Sequence, residues 1–252
     1  MKTLWLLVVI GVLLLSCADD SKENVPSANS LAALILSNPS LEIDELIACA
    51  AGNNNNDFGT VDFPTSVFFY PVKGSSDFRY YEATDLADSL NFDKYYQFFP
   101  DQSPVFNGYL RRFHREVFSG ERMCIVTYVT EQKLHISDPI RIKTNTKSTE
   151  VNAELGTIVS GTEPYFEWKD GFIDENVIYF QVVSSLDGDF ISGTYTYEKH
   201  FTFYDVSNVV LNVTDPSTNP KLQPDSTYRF TMMGVSEDNW VNLLIEKEFT
   251  TN

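Results

Sequence analysis

The chain has 252 residues, with 18 Lys and Arg against 35 Asp and Glu and a formal net charge of −17. That field repels phosphate backbones and removes the attraction on which nucleic-acid binding rests, so nucleic acid is not expected as a partner. The 19 Phe and 13 Tyr exclude a disordered polyelectrolyte and require packed cores, in a length that suits one large domain or two ordinary ones.

Lys2 precedes an apolar run from Leu4 to Leu15. Crossing a hydrocarbon core of about 30 Å as a helix takes ~20 residues, so this run is too short and fits the apolar region of a secretory signal. At its end, Leu14-Leu15-Ser16-Cys17 resembles the lipobox of bacterial lipoproteins, in which the cysteine is both cleavage point and lipid acceptor. A thiolate is the nucleophile that diacylglyceryl transfer needs. The resemblance implies a signal peptide over 1–16, a lipid on Cys17 and attachment to a membrane through that lipid. The alternative is a free cysteine that follows an ordinary signal. Residues 17–29 carry no apolar periodicity and form an acidic tether. Asp19 and Asp20, directly after the cysteine, resemble export signals that send some Gram-negative lipoproteins to the outer face of the outer membrane. This implies a cell-surface address, and a merely soluble leash is the alternative.

Residues 30–57 are expected to be a helical segment and a loop. In SLEIDELIACAAG, Ser40 can cap, Glu42, Asp44 and Glu45 occupy the first turn where the dipole favours anions, and Gly52 can end the helix. Ile43, Leu46, Ile47 and Ala50 then fall on one stripe.

From Phe58 the period changes to two. TSVFFYPV, FRYYEAT, VFNGYLRRFH, MCIVTYVTE and LHISDPIRIKT are β-branched or aromatic segments punctuated by Gly, Pro, Asp and Ser. The last two form a hairpin ahead of a polar linker, TNTKSTE, so residues 58–146 make one antiparallel, sandwich-like unit. Tyr80-Tyr81 and Tyr95-Tyr96-Gln97-Phe98-Phe99 put aromatics at adjacent positions. Neighbours in a strand point to opposite faces, so one of each pair is exposed unless a loop folds both back. Exposed rings would stack on sugars or bury in a protein partner. Cys49 and Cys124 permit one disulfide in an exported protein, tying helix to sheet; otherwise they are buried small hydrophobes.

In the last hundred residues, Leu222-Gln223-Pro224-Asp225-Ser226-Thr227-Tyr228 resembles the L-x-P-x-[TS]-x-Y segment of fibronectin type III domains. The resemblance implies a tyrosine corner, with the Tyr228 ring in the core and its hydroxyl on a backbone group of the turn, near Leu222 to Asp225. PYFEW would be strand B with Trp168, VIYFQVV strand C, VSNVVLNVT strand E and NLLIEKEFTT strand G, over residues 154–252. The fold class is therefore mainly β: two tandem immunoglobulin or fibronectin type III-like sandwiches preceded by a short helix and a tether.

No nucleophile elbow, zincin motif, P-loop or dinucleotide fingerprint occurs. His114, His135 and His200 each sit within an expected strand, and the oxygen-rich loops Asp187–Asp189 and Asp170–Asn176 lack the full spacing of an EF-hand. No catalytic, cofactor or metal residue is assigned. The expectation is a non-enzymatic binding or adhesion lipoprotein whose ligand is a glycan or an envelope protein. A structural spacer or assembly subunit is the rival, and a hydrolase comes third.

Overall fold

A computed structural model describes residues 26–53, 65–116, 119–215 and 220–252. Cys17, Asp19 and Asp20 lie outside the described residues. In chain order α1 (Leu31–Ser37) precedes β1 (Glu42–Leu46), β2 (Ala48–Gly52), β3 (Thr65–Phe69), β4 (Ser76–Ala83), β5 (Tyr96–Phe98), β6 (Gln102–Val105), β7 (Leu110–Arg115), β8 (Arg122–Val129), β9 (Lys133–Ser137) and β10 (Ile140–Ile142). Then follow β11 (Glu150–Val151), β12 (Gly156–Val159), β13 (Tyr165–Trp168), β14 (Ile178–Ser185), β15 (Phe190–Thr196), β16 (His200–Thr202), β17 (Val209–Asn212), β18 (Thr227–Val235) and β19 (Val241–Thr250).

These strands form four sheets. Sheet I runs β1-β9-β8-β4-β5 with β10 also on β8, and sheet II runs β2-β3-β7-β6. Sheet III runs β11-β19-β18-β14-β15-β17, and sheet IV runs β12-β13-β16. Alternation along each strand sends apolar side chains to both faces. Val67, Phe69, Phe113, Val126 and Tyr128 fill the core between sheets I and II. Phe166, Trp168, Phe230, Met232 and Ile245 fill the core between sheets III and IV. The fold is mainly β, with two immunoglobulin or fibronectin type III-like sandwiches. Both repeat one plan, in which a parallel strand on the last hairpin strand (β1 on β9, β11 on β19) is followed by a strand of the opposite sheet.

The stretch expected to be a helix is instead two strands of the first sandwich, β1 and β2. Its acids do not serve a helix dipole: Asp44, opposite His135 in the parallel pair, reaches diagonally to an ion pair with Lys133 at 2.7 Å. A lone helix of this length is marginal, and the ladder to β9 and β3 outweighs local propensity. Ala50, Ala51 and Gly52 are buried, small enough for close backbone approach. The helix is earlier: Ser30 caps α1 by accepting from the Ala33 N–H at 3.2 Å, and Leu31 and Leu34 pack on the outer face of sheet I.

Two further expectations change. VSNVVLNVT does not supply the strand beside B. Its β17 pairs with β15 at the exposed edge of sheet III, and β16 takes the place on β13. TNTKSTE is no free linker either. Thr144 and Thr149 are buried, Thr149 donates to the Val241 carbonyl at 2.7 Å, and its hydroxyl accepts from the Gly52 N–H at 3.0 Å.

The sandwiches are locked together. The outer face of sheet II (Ala51, Phe68, Leu110) packs on that of sheet III (Phe180, Val182, Met233, Leu244) in a third apolar cluster. The β18–β19 turn inserts Trp240, fully buried, into the core of the first sandwich. Asn239 O and Asp238 O of that turn accept from the N–H groups of Ala50 and Arg141, both at 2.9 Å. Across the same seam the rings of Tyr109 and Phe190 stack with centroids 3.6 Å apart.

Candidate functional site

Of the adjacent aromatics, Tyr80 and Tyr81 are both buried, one on each face of sheet I. Tyr95 is also buried and donates to Ser89 O at 2.8 Å. The next residues differ, because β5 is the edge strand of sheet I. Its register sets Tyr96 opposite Glu82 and Phe98 opposite Tyr80, so both rings share the inner face and stand at the open rim, 40% and 41% exposed. Phe99, where the chain crosses towards β6, is 85% exposed.

The rim is braced from below. Tyr80 donates to Glu82 Oε1 at 2.8 Å, and Arg115 Nε, reaching across from β7, lies 2.6 Å from the same oxygen. The Arg122 Nε is 4.0 Å from Glu82 Oε2. Glu82 is buried, and a buried carboxylate persists only when paired and hydrogen-bonded. This network fixes the Arg115 guanidinium 5.3 Å from the Phe98 ring centroid, a cation–π contact that holds the ring from one side.

A hollow of about 290 Å³ lies beside it, lined by Phe98, Phe99, Pro100, Asp101, His114, Arg115 and Glu116. His114 Nε2 lies 2.7 Å from Ser103 Oγ, which also accepts from Arg112 Nε at 3.1 Å. Burial, and then the charge of Arg112, hold the imidazole below its ordinary pKa against a smaller opposing pull from Asp101. The hollow thus offers aromatic rings beside acceptors (Asp101, Glu116) and a fixed donor (Arg115). Such a set suits a ring with one apolar face and polar edges, or a protein side chain that is part apolar and part charged.

The other residues singled out in the sequence lie elsewhere. Tyr228 Oη accepts from the Gln223 N–H at 2.8 Å, and the rings of Tyr228 and Phe249 lie 5.9 Å apart in the second core, where Leu222 is also buried. Pro224 sits in the turn, its carbonyl accepting from the Ser226 hydroxyl at 3.1 Å. Cys49 and Cys124 do not form the expected bridge, and both thiols are free. Cys49 faces sheet III, whereas Cys124 points from sheet I into the first core, so sheet II lies between them. His135 stacks on Tyr128 and His200 lies 3.3 Å from Glu198, far apart in the chain's two sandwiches. Among the described residues no group of three His, Cys, Asp or Glu is placed to hold a metal ion, and no helix is long and apolar enough to cross a membrane.

No family profile and no curated protein matches the chain. Among solved structures it is similar to the FN1–FN3 domains of chicken CNTN1, at 11% identity over 84% of this chain and 68% of that one, with a TM-score of 0.29. The chicken interferon gamma receptor alpha chain is similar at 12% identity over 83% and 99%, with a TM-score of 0.26. Overlaps this loose leave the fold to be argued from the sheets themselves.

Proposed function

We propose that this chain is a lipid-anchored protein of a bacterial outer membrane, exposed at the cell surface, that works as a non-enzymatic binding module for a glycan or protein ligand. The anchor rests on the Leu14–Cys17 stretch and the acidic pair after it. The binding role rests on one observation: Tyr96, Phe98 and Phe99 are exposed together at a rim whose central ring is braced by a buried ion-pair network. Three exposed rings within four residues make a contiguous patch, the kind of surface feature that serves as a contact site. The locked sandwiches favour a second reading, a rigid spacer that holds a partner away from the bilayer.

A glycan array and a pull-down from envelope extract, both with the chain from residue 18 onward, separate the two. The binding reading expects a ligand whose capture falls at least about tenfold in Tyr96→Ala/Phe98→Ala, exposed positions whose loss leaves the fold intact. Capture that survives the double substitution, or no capture of any ligand, favours the spacer. Cys17→Ala should release the protein from membranes.

A further inference from the structure

The segment that follows the acidic tether runs into the aromatic rim. Asn29 O accepts from the Gln97 N–H at 3.0 Å, the Leu31 N–H donates to Tyr95 O at 2.9 Å, and Ser30 forms an antiparallel bridge with Tyr96. Residues 29–31 thus lie along the outer edge of β5, and the chain enters the fold beside the exposed rings. At about 3.3 Å per strand residue, Phe98 stands ~7 Å and Phe99 ~10 Å from that entry.

The tether sets how far the rim can stand from an anchor at Cys17. The stretch from Cys17 to Ser27 spans at most ~35 Å fully extended and on the order of 20 Å as a flexible coil. Packed sheets lie about 10 Å apart, which puts sheets III and IV ~20–30 Å beyond sheet I, whereas the rim sits at the point of attachment. A leash this short holds a bilayer at an effective concentration on the order of millimolar, so a weak affinity suffices. Aromatic side chains favour the headgroup boundary, where the ring leaves water. Asp101 and Glu116 flank the rings, Arg115 is already paired with Glu82, and the whole chain is acidic. The attraction is therefore apolar and fits zwitterionic headgroups better than anionic ones.

We propose that Tyr96, Phe98 and Phe99 dock into the interface of the bilayer that holds the anchor, with the second sandwich pointing away from it. The inference rests on the lipid-anchor reading and gives the rim a resting partner. A glycan or protein ligand taken by the same rings displaces the bilayer.

The test couples the chain from Cys17 onward, through that thiol, to a maleimide lipid in phosphatidylcholine vesicles with brominated acyl chains. Burial raises the pKa of Cys49 and Cys124, which leaves Cys17 the reactive thiol. Phe99→Trp reports contact at an exposed position, against a background of Trp168 and Trp240, both buried. Its fluorescence should be quenched on these vesicles, and Tyr197→Trp, exposed in the second sandwich, should keep its intensity. Tyr96→Ala/Phe98→Ala in the Phe99→Trp chain should remove most of the quenching. An unquenched Phe99→Trp, equal quenching at Tyr197→Trp, or quenching unchanged by the two alanines would each overturn the docking. Attachment here is chemical, so none of these outcomes touches the anchor itself, which is decided by the release of Cys17→Ala from membranes.

Discussion

The indole Nε1 of Trp240 donates to the carbonyl of Lys147 at 2.8 Å, joining a hairpin turn of the second sandwich to the segment that leaves the first. The ring itself lies among Ala50, Val67 and Ile140, so one sandwich completes the other's core. Removing a buried Trp costs about 3–5 kcal/mol. Trp240→Ala should therefore destabilise the first sandwich by that amount although the residue belongs to the second. The parent should unfold in urea in one transition, and the variant should split into two, seen by tyrosine fluorescence and circular dichroism together. A single unshifted transition in the variant would sink the interlock.

The same turn makes stability depend on acid. Burial alone would raise the Asp238 carboxyl, but hydrogen bonds from Lys143 and Ser236 and the charges of Lys143 and Arg141 outweigh it and hold the pKa below the ordinary carboxylate range. A carboxyl with a lowered folded pKa contributes stability that is full above its unfolded value, about 3.9, and is lost as pH falls through the lowered one. Between about pH 5 and about pH 3 the parent should lose more stability than Lys143→Met, measured by urea midpoints. Parallel losses in the two proteins would mean that this pair contributes nothing.

The thiols give a chemical check on the layering. With sheet II between Cys49 and Cys124, the denatured, unreduced chain from residue 18 onward should show two free thiols. In the folded state both should react slowly with a thiol reagent at neutral pH, since burial raises each above its ordinary pKa. A titration of zero thiols in the denatured chain would restore the bridge.

Tyr228→Phe removes only the hydroxyl that accepts from Gln223. The expected cost is about 1 kcal/mol, the net value of one hydrogen bond, with the ring's packing on Phe249 retained. Equal urea midpoints for parent and variant would show that the corner adds no stability.

The sequence was legible where one strand carries its own pattern. The Leu222–Tyr228 corner, Trp168 in the second core and the hairpin of β8 with β9 and β10 follow from alternation and a turn motif. It was not legible where pairing partners are distant. Ile43, Leu46 and Ile47 carry a helical spacing, but a parallel ladder to β9 decides their form, and nothing in residues 42–46 announces Lys133. The rim was half legible. Adjacent aromatics in Tyr95–Phe99 mark it, and Tyr80 with Glu82, two apart on one strand, could have suggested a shared face. That Arg115 comes across from sheet II to brace Phe98 depends on how two sheets stack, which local pattern does not carry.

Trp240 also fixes an order of assembly. Domains generally fold from the N-terminus as the ribosome releases them, each when its own residues have emerged. Here Ala50 and Val67 are made early, yet the side chain that fills the space between them is made long afterwards. The first sandwich therefore stays incomplete on the nascent chain, and both halves consolidate together once the β18–β19 turn is available. Until then the half-made core presents an open apolar notch, which a partner protein or a second nascent chain would find exposed.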